Sequence, residues 1–221
     1  MRQPLNSSFG GSRMFTRRYT NFWDGLFRPS KMHLLGSGEV KTLTNLVSNG
    51  DFSKGTAGWN GINGSVSVAN NTGSSTLSGA TVTGGFQKAP SATPIIGHRY
   101  GLTVRMRVTN ANCLLLRFYL GGVTGNAVQT NPAINQWYPK TFVITADNAT
   151  QSIYLYHTYE SAAIASGKVM EAQYVSVVDL TDAFGAGNEP TQTEFESWIN
   201  TQSNSWFDTT ANYLANTNQW F

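Results

Sequence analysis

Read in twos, the middle of the chain alternates. In "RYGLTVRMRVTN" (residues 99–110), Leu102, Val104, Met106 and Val108 fall on one side and Arg105 and Arg107 on the other. That is the period of a strand with one buried face. "GSVSVAN" alternates likewise, and "CLLLRFYLGG", "QWYPKTFVITA", "QSIYLYHT" and "EAQYVSVVDL" follow between clusters of Gly, Asn, Asp and Pro. Short strands at this spacing predict an all-β antiparallel sandwich or barrel over residues 45–181. Ahead of them, "NLVSNGDFSKGTAGWNG" reads as a strand running into a turn-rich loop closed by Trp59. No helical period of useful length occurs before Thr191.

The period changes near the C-terminus. Gly185 and Gly187 can take positive φ, Pro190 stops the preceding strand, and Thr191 with Glu194 spells a capping box. Phe195, Trp198 and Ile199 then share one face of a short helix, expected to close one end of the sandwich. The tail "WFDTTANYLANTNQWF" is again aromatic, and Trp206, Phe207, Trp220 and Phe221 are candidate anchors on a neighbouring subunit. Residues 1–44 follow neither period. Their large apolar groups, among them Phe15, Tyr19, Phe22, Trp23 and Phe27, alternate with basic residues that include Arg17 and Arg18. Such a segment is expected to order itself against a partner as an N-terminal arm. Three segments result: an arm over 1–44, a sandwich over 45–181 and a helical, aromatic appendix over 182–221.

Charged residues are 12% of the 221, about half of the usual ~25%, and hydroxyl and amide side chains take their place. The charges are unevenly spread. Residues 1–44 hold seven Lys/Arg against two acids, whereas residues 179–221 hold six acids and no Lys or Arg. Opposite charges at the two ends suggest association, within the chain or between copies, so a homo-oligomer is expected. Cys113 is the only cysteine, which excludes an internal disulfide, and its apolar neighbours predict a buried thiol. No apolar run follows "MRQPLNSSFGGSR", and the most apolar stretch is far too short for a membrane span. Cytoplasmic synthesis without a leader or a membrane partner is therefore expected. The basic arm matches no nucleic-acid motif, so nucleic acid is not an expected partner.

Two stretches carry a resemblance. "NLVSNGDFSKGTAGW" is similar to the opening of jelly-roll, galactose-binding-like carbohydrate-binding modules, and "AQYVSVVDLT" is similar to their final strand. "DLTDAFGAGNEPTQTEFESWI" resembles a motif that follows such sandwiches in tail and minor structural proteins of bacteriophages. The resemblance implies a jelly-roll β-sandwich with an extended N-terminal arm and a short C-terminal helix. It implies a non-enzymatic virion component of the tail, its fibres, or the head or neck, made in the host cytoplasm. The arm would hold other virion proteins and the sandwich would face outward, toward host-surface glycan. A free-standing glycan-binding protein is the alternative. Modules of this type often hold a structural calcium near the first and last strands, and Asp51 and Asp179 are the matching carboxylates, with Asn49 a further oxygen. The Asn-Gly-Asp sequence alone also accounts for Asp51 as a turn residue. No other cofactor is expected.

No catalytic motif is present. His33, His98 and His157 lie in separate segments without metal-ligand spacing, and there is no nucleophile elbow, P-loop or dinucleotide fingerprint. Glu160 and Glu171 flank a loop, a weak basis for a glycosidase pair. A binding face is better supported. Arg105, Arg107, Arg117, Tyr119, Tyr154 and Tyr156 all occupy outward positions, with Leu114, Leu116, Phe118, Leu120, Ile153 and Leu155 assigned inward. Tyrosine rings stack on sugars and Arg forks bind hydroxyls, carboxylates or phosphates, which would suit an acidic or phosphate-bearing wall polymer. The same residues suit a protein contact equally well.

Overall fold

Alternation along β6 (Arg99–Val108) sets the inside of the fold: Leu102, Val104, Met106 and Val108 are buried, while Arg105 and Arg107 are half-exposed. The computed structural model describes residues 40–120, 126–147 and 152–214. The arm residues Phe15 to Phe27, with Trp220 and Phe221, lie outside them. A front sheet orders β2 (Asn60–Ile62), β5 (Thr83–Lys88), β10 (Ile153–Tyr159), β7 (Cys113–Leu120) and β8 (Asn126–Thr130). A back sheet orders β3 (Gly64–Ala69), β4 (Thr72–Leu77), β11 (Val169–Asp179), β6 and β9 (Tyr138–Thr145). All of these pairings are antiparallel. Inward residues of both sheets, including Phe86, Phe118, Leu155, Met106 and Val177, form one core. The fold is a jelly-roll β-sandwich.

Leu114 departs from its expected inward position. Thr158 pairs with Leu115 but Tyr159 pairs with Cys113, so a bulge skips Leu114 and turns it outward, 43% exposed. Cys113 fills the inward place, and burial raises its thiol pKa. β4 and β5 were not foreseen; "TGSSTL" and "TGGFQK" are too rich in Gly and Ser to read as strands.

The "NGDF" stretch is a turn organised by one side chain. Asn49, buried and at φ 56°, donates from Nδ2 to Gly55 O (3.0 Å) and Ala57 O (3.1 Å), and its Oδ1 accepts from the Lys54 N–H (2.9 Å). Its backbone carbonyl accepts from Trp59 Nε1 at 2.9 Å. Trp59 thereby stacks on Phe52, ring centroids 5.0 Å apart, and both meet Phe86. Residues 45–48, expected as a strand, make a single bridge, Asn45 to Val178.

The C-terminal stretch starts helical earlier than its sequence suggests. The helices are α1 (Ala162–Ala165), α2 (Leu180–Phe184) and α3 (Gln192–Ile199), and β11 passes directly into α2. Asp179 caps α2, where the strand was expected to run on toward Pro190. The capping box of α3 is formed: the Thr191 N–H donates to Glu194 Oε2 (2.7 Å) and the Glu194 N–H to Thr191 Oγ1 (3.3 Å). Gly185 and Gly187 both have φ 83°. Phe195, Trp198 and Ile199 join Leu43, Val178, Leu180, Phe207 and Tyr213 in a second core.

That second core covers the outward face of the back sheet rather than an end of the sandwich. Gly101 faces outward on β6, and a Cβ there would lie 2.4 Å from the Phe195 ring, so the helix approaches where the side chain is missing. Val143, which pairs with Gly101, packs against the same cluster. β1 (Val40–Thr44) and β12 (Thr210–Leu214) pair as a ribbon beside it. Val40–Tyr213 forms one compact unit, in which Leu43 is fully buried. Among the described residues, no helix is long and apolar enough to cross a membrane.

Removing Phe195 from this arrangement leaves a cavity over Gly101. Phe195→Ala is expected to lower the unfolding free energy by about 3–5 kcal/mol, and a chain ending at Ser205 should also melt earlier than the full chain. Urea and thermal unfolding of the three proteins would check this.

His157 sits fully buried on the core side of β10. Its Nδ1 lies 3.4 Å from the Tyr159 hydroxyl, and its Nε2 has no partner among the described residues. Burial pushes its pKa down from 6.5 to about 3. Between those values the unfolded chain holds a proton that the folded one does not, so stability falls as pH drops from about 6.5 toward 3. The slope reaches about 1.4 kcal/mol per pH unit for this site. His157→Leu should flatten that part of the stability–pH curve, measured by urea melts across the window.

Candidate functional site

Pairing of β7 with β10 assembles the tyrosines. Tyr154 lies opposite Tyr119 and Tyr156 opposite Arg117, all four on the outward face of the front sheet. The Tyr154 and Tyr156 rings stack at 5.5 Å with 9° between planes, and Tyr119 meets Tyr156 edge-on at 5.3 Å. Arg117 Nη1 donates to the Tyr119 hydroxyl at 2.8 Å. Burial, then the neighbouring hydroxyls of Tyr154 and Tyr119, raise the pKa of Tyr156, so it stays a neutral hydroxyl at physiological pH.

The face continues across β5, which sequence reasoning missed. Gln87 lies opposite Tyr154 and donates from Nε2 to Ser152 Oγ (3.0 Å). Gly85 lies opposite Tyr156, and Ile62 of β2 lies opposite Gly85. A Cβ at Gly85 would fall 1.8 Å from the Leu155 carbonyl oxygen, so this position carries no side chain. With strands spaced ~4.8 Å apart, roughly 10 Å separates Ile62 from Tyr156 across Gly85, which is itself buried. A glycine between large outward residues was the available signal, but it requires knowing the pairing.

Arg105 and Arg107 do not belong to this face. They project from β6, in the back sheet, and so lie on the opposite side of the sandwich. Both guanidinium groups lie over the Trp137 ring, at 4.7 and 4.5 Å, and Arg107 is ion-paired with Glu171. Alternation distinguishes inward from outward but not which sheet a strand joins, so six residues expected together divide into four and two. Glu160 and Glu171 divide likewise, one following β10 and the other on β11.

The carboxylates paired for calcium are separated. Asn45 bridges Val178, and the Val175 N–H donates to Gly50 O, so residues 45–50 run antiparallel to 175–178. Asp51 lies past one end of that pairing and Asp179 past the other. Asp51 Oδ1 accepts from Ser53 N (3.1 Å) and Ser53 Oγ (2.9 Å). Asp179 accepts from the Asp182 N–H (2.9 Å) through Oδ1, and its Oδ2 lies 2.9 Å from His98 Nδ1. Asn49 spends its side chain on the turn. These residues do not fit a shared ion, and no cluster of three or more His, Cys, Asp or Glu occurs among the described residues.

Two aromatic anchors turn inward instead. Trp206 Nε1 donates to Val175 O at 3.0 Å, and Phe207 is buried against Trp198, 5.6 Å between ring centroids. Phe207 belongs to the second core, and Trp206 is half-buried beside Tyr174, 6.1 Å between ring centroids.

No protein-family model and no curated protein matches the sequence. Among solved structures, the chain is similar to an arabinose-bound α-L-arabinofuranosidase at 14% identity and TM-score 0.48, over 74% of this chain and 30% of that one. It is similar to a family 16 carbohydrate-binding module at 20% identity and TM-score 0.37, over 61% and 100%. It is also similar to the enzymatically active domain of bacteriophage CBA120 tailspike protein 4, at 17% identity and TM-score 0.40, over 60% and 21%. The chain spans under a third of the arabinofuranosidase and of the tailspike domain.

The hydrogen bonds of Asp179 give its replacement a defined cost. Asp179→Ala should lower stability by about 1–2 kcal/mol through the lost helix cap. The loss should be the same in calcium as in chelator, measured by thermal melts in both.

Proposed function

We propose that this chain is a non-enzymatic bacteriophage virion component whose sandwich holds a saccharide on its front face. The observation that carries the saccharide half is the gathering of Arg117, Tyr119, Tyr154 and Tyr156 on one sheet face. Tyrosine rings offer apolar planes for sugar C–H groups, and their hydroxyls with Gln87 offer polar ends for sugar hydroxyls. Among the described residues, the second core covers part of the back sheet's outward face. The virion half is supported by the "FGAGNEPT" resemblance and by the basic, aromatic composition of residues 1–44.

The test is affinity electrophoresis against bacterial surface polysaccharides. Tyr154→Ala and Tyr156→Ala should each weaken retention about tenfold, while Arg105→Ala on the back sheet leaves it unchanged. Retention that depends on Arg105 and Trp137 but not on the tyrosines would sink this assignment. Antibody labelling of purified particles tests the virion half.

A further inference from the structure

We infer that the ligand of the front face is an anionic saccharide and that Arg117 reads its charge; this deepens, and rests on, the saccharide-binding reading above. The five strands of the front sheet contain no Asp or Glu. Their two cations differ in direction. Lys88 is 4% exposed and turns inward over the Trp59 ring, whereas Arg117 projects outward between Tyr119 and Tyr156. The back sheet disposes of its arginines differently, holding Arg107 against Glu171 and both arginines over Trp137. Arg117 has no carboxylate partner among the described residues.

Its donors are also underused. A guanidinium offers five N–H groups in a rigid fork that matches carboxylate and phosphate oxygens. One Arg117 nitrogen donates to the Tyr119 hydroxyl, and its Nε is buried without an acceptor among the described residues. The remaining nitrogen, Nη2, has no acceptor among the described residues and is not buried, so an incoming anion can reach it and supply one. The surrounding aromatic surface lowers the local polarity and strengthens the attraction. The Tyr119 hydroxyl, which accepts from Arg117, offers its own hydrogen to the same ligand. A neutral polymer would use the rings and Gln87 alone.

The experiment titrates the full chain with polygalacturonate, poly(glycerol phosphate) and neutral galactan by calorimetry. Wild type should bind at least one charged polymer about tenfold or more tighter than galactan, with the gap narrowing as salt rises. The uronate and phosphate arms tell which anion is taken. Arg117→Gln should erase the preference, bringing the affinity for the charged polymers down to that for galactan, and Arg117→Lys should keep part of it, because charge remains without the fork. Arg105→Gln, on the back sheet, controls for net charge. If Arg117→Gln melts early, the Arg117→Lys and salt series decide. Equal wild-type affinity for charged and neutral polymers, or a preference that survives Arg117→Gln, overturns this inference. If Tyr154→Ala weakens all binding while Arg117→Gln changes nothing, the inference falls and the saccharide reading stands. Binding to none of the three overturns both.

Discussion

Asn49 is the side chain on which the folded unit closes. One amide satisfies three backbone groups of a turn that would otherwise leave them unpaired, and the carbonyl of the same residue fixes the Trp59 indole. Aspartate could accept from Lys54 but could not donate to Gly55 and Ala57; leucine could do neither. The gain extends beyond the turn, because Phe52 and Trp59 are held against Phe86 in the main core. A polar group deep in a structure is tolerable when its bonding capacity is filled, and here filling it positions the aromatic wall of the sandwich.

The two outward faces then diverge for a physical reason. Gly101, Val143 and Val178 give part of the back sheet an apolar surface that water would not tolerate cheaply. The chain answers by folding α2, α3 and the β1–β12 ribbon over it. The front sheet presents tyrosines instead, whose rings cover one another and whose hydroxyls remain available. Among the described residues, the sandwich thus has one outward face partly covered by other segments of the chain and one that presents tyrosines.

Much of this was legible in the sequence, with a consistent limit. Alternation placed Leu102 through Val108 inward and Arg117, Tyr119, Tyr154 and Tyr156 outward, because side-chain direction in a strand is local. Sheet membership is not local. That Arg105 and Arg107 lie behind the sandwich follows from β6 pairing with β9 and β11, which no period announces. The bulge that expels Leu114 was hidden for the same reason, since only the partner strand shows the skipped residue. The capping box at Thr191 and Glu194 was legible because four consecutive residues contain all of it. Helix α2 was not, as "LTDAF" continues an apolar strand without a break, and Asp179 reads equally as its last residue. Trp206 and Phe207 looked like surface anchors because their partners, Val175 and Trp198, come from other segments.

The ribbon has a mechanical consequence. Thr42 faces Asn212 and the Asn45 N–H donates to Thr209 O, so the two strands are antiparallel and the start of β1 lies beside the end of β12. A pull applied at Val40 itself opens the ribbon's hydrogen bonds one after another, like a zipper. The sandwich strands share no such free end and would feel the load only after β1 has peeled and Leu43 has left its pocket. Under such tension the ribbon would yield as a fuse, releasing β1 while the jelly roll stays intact.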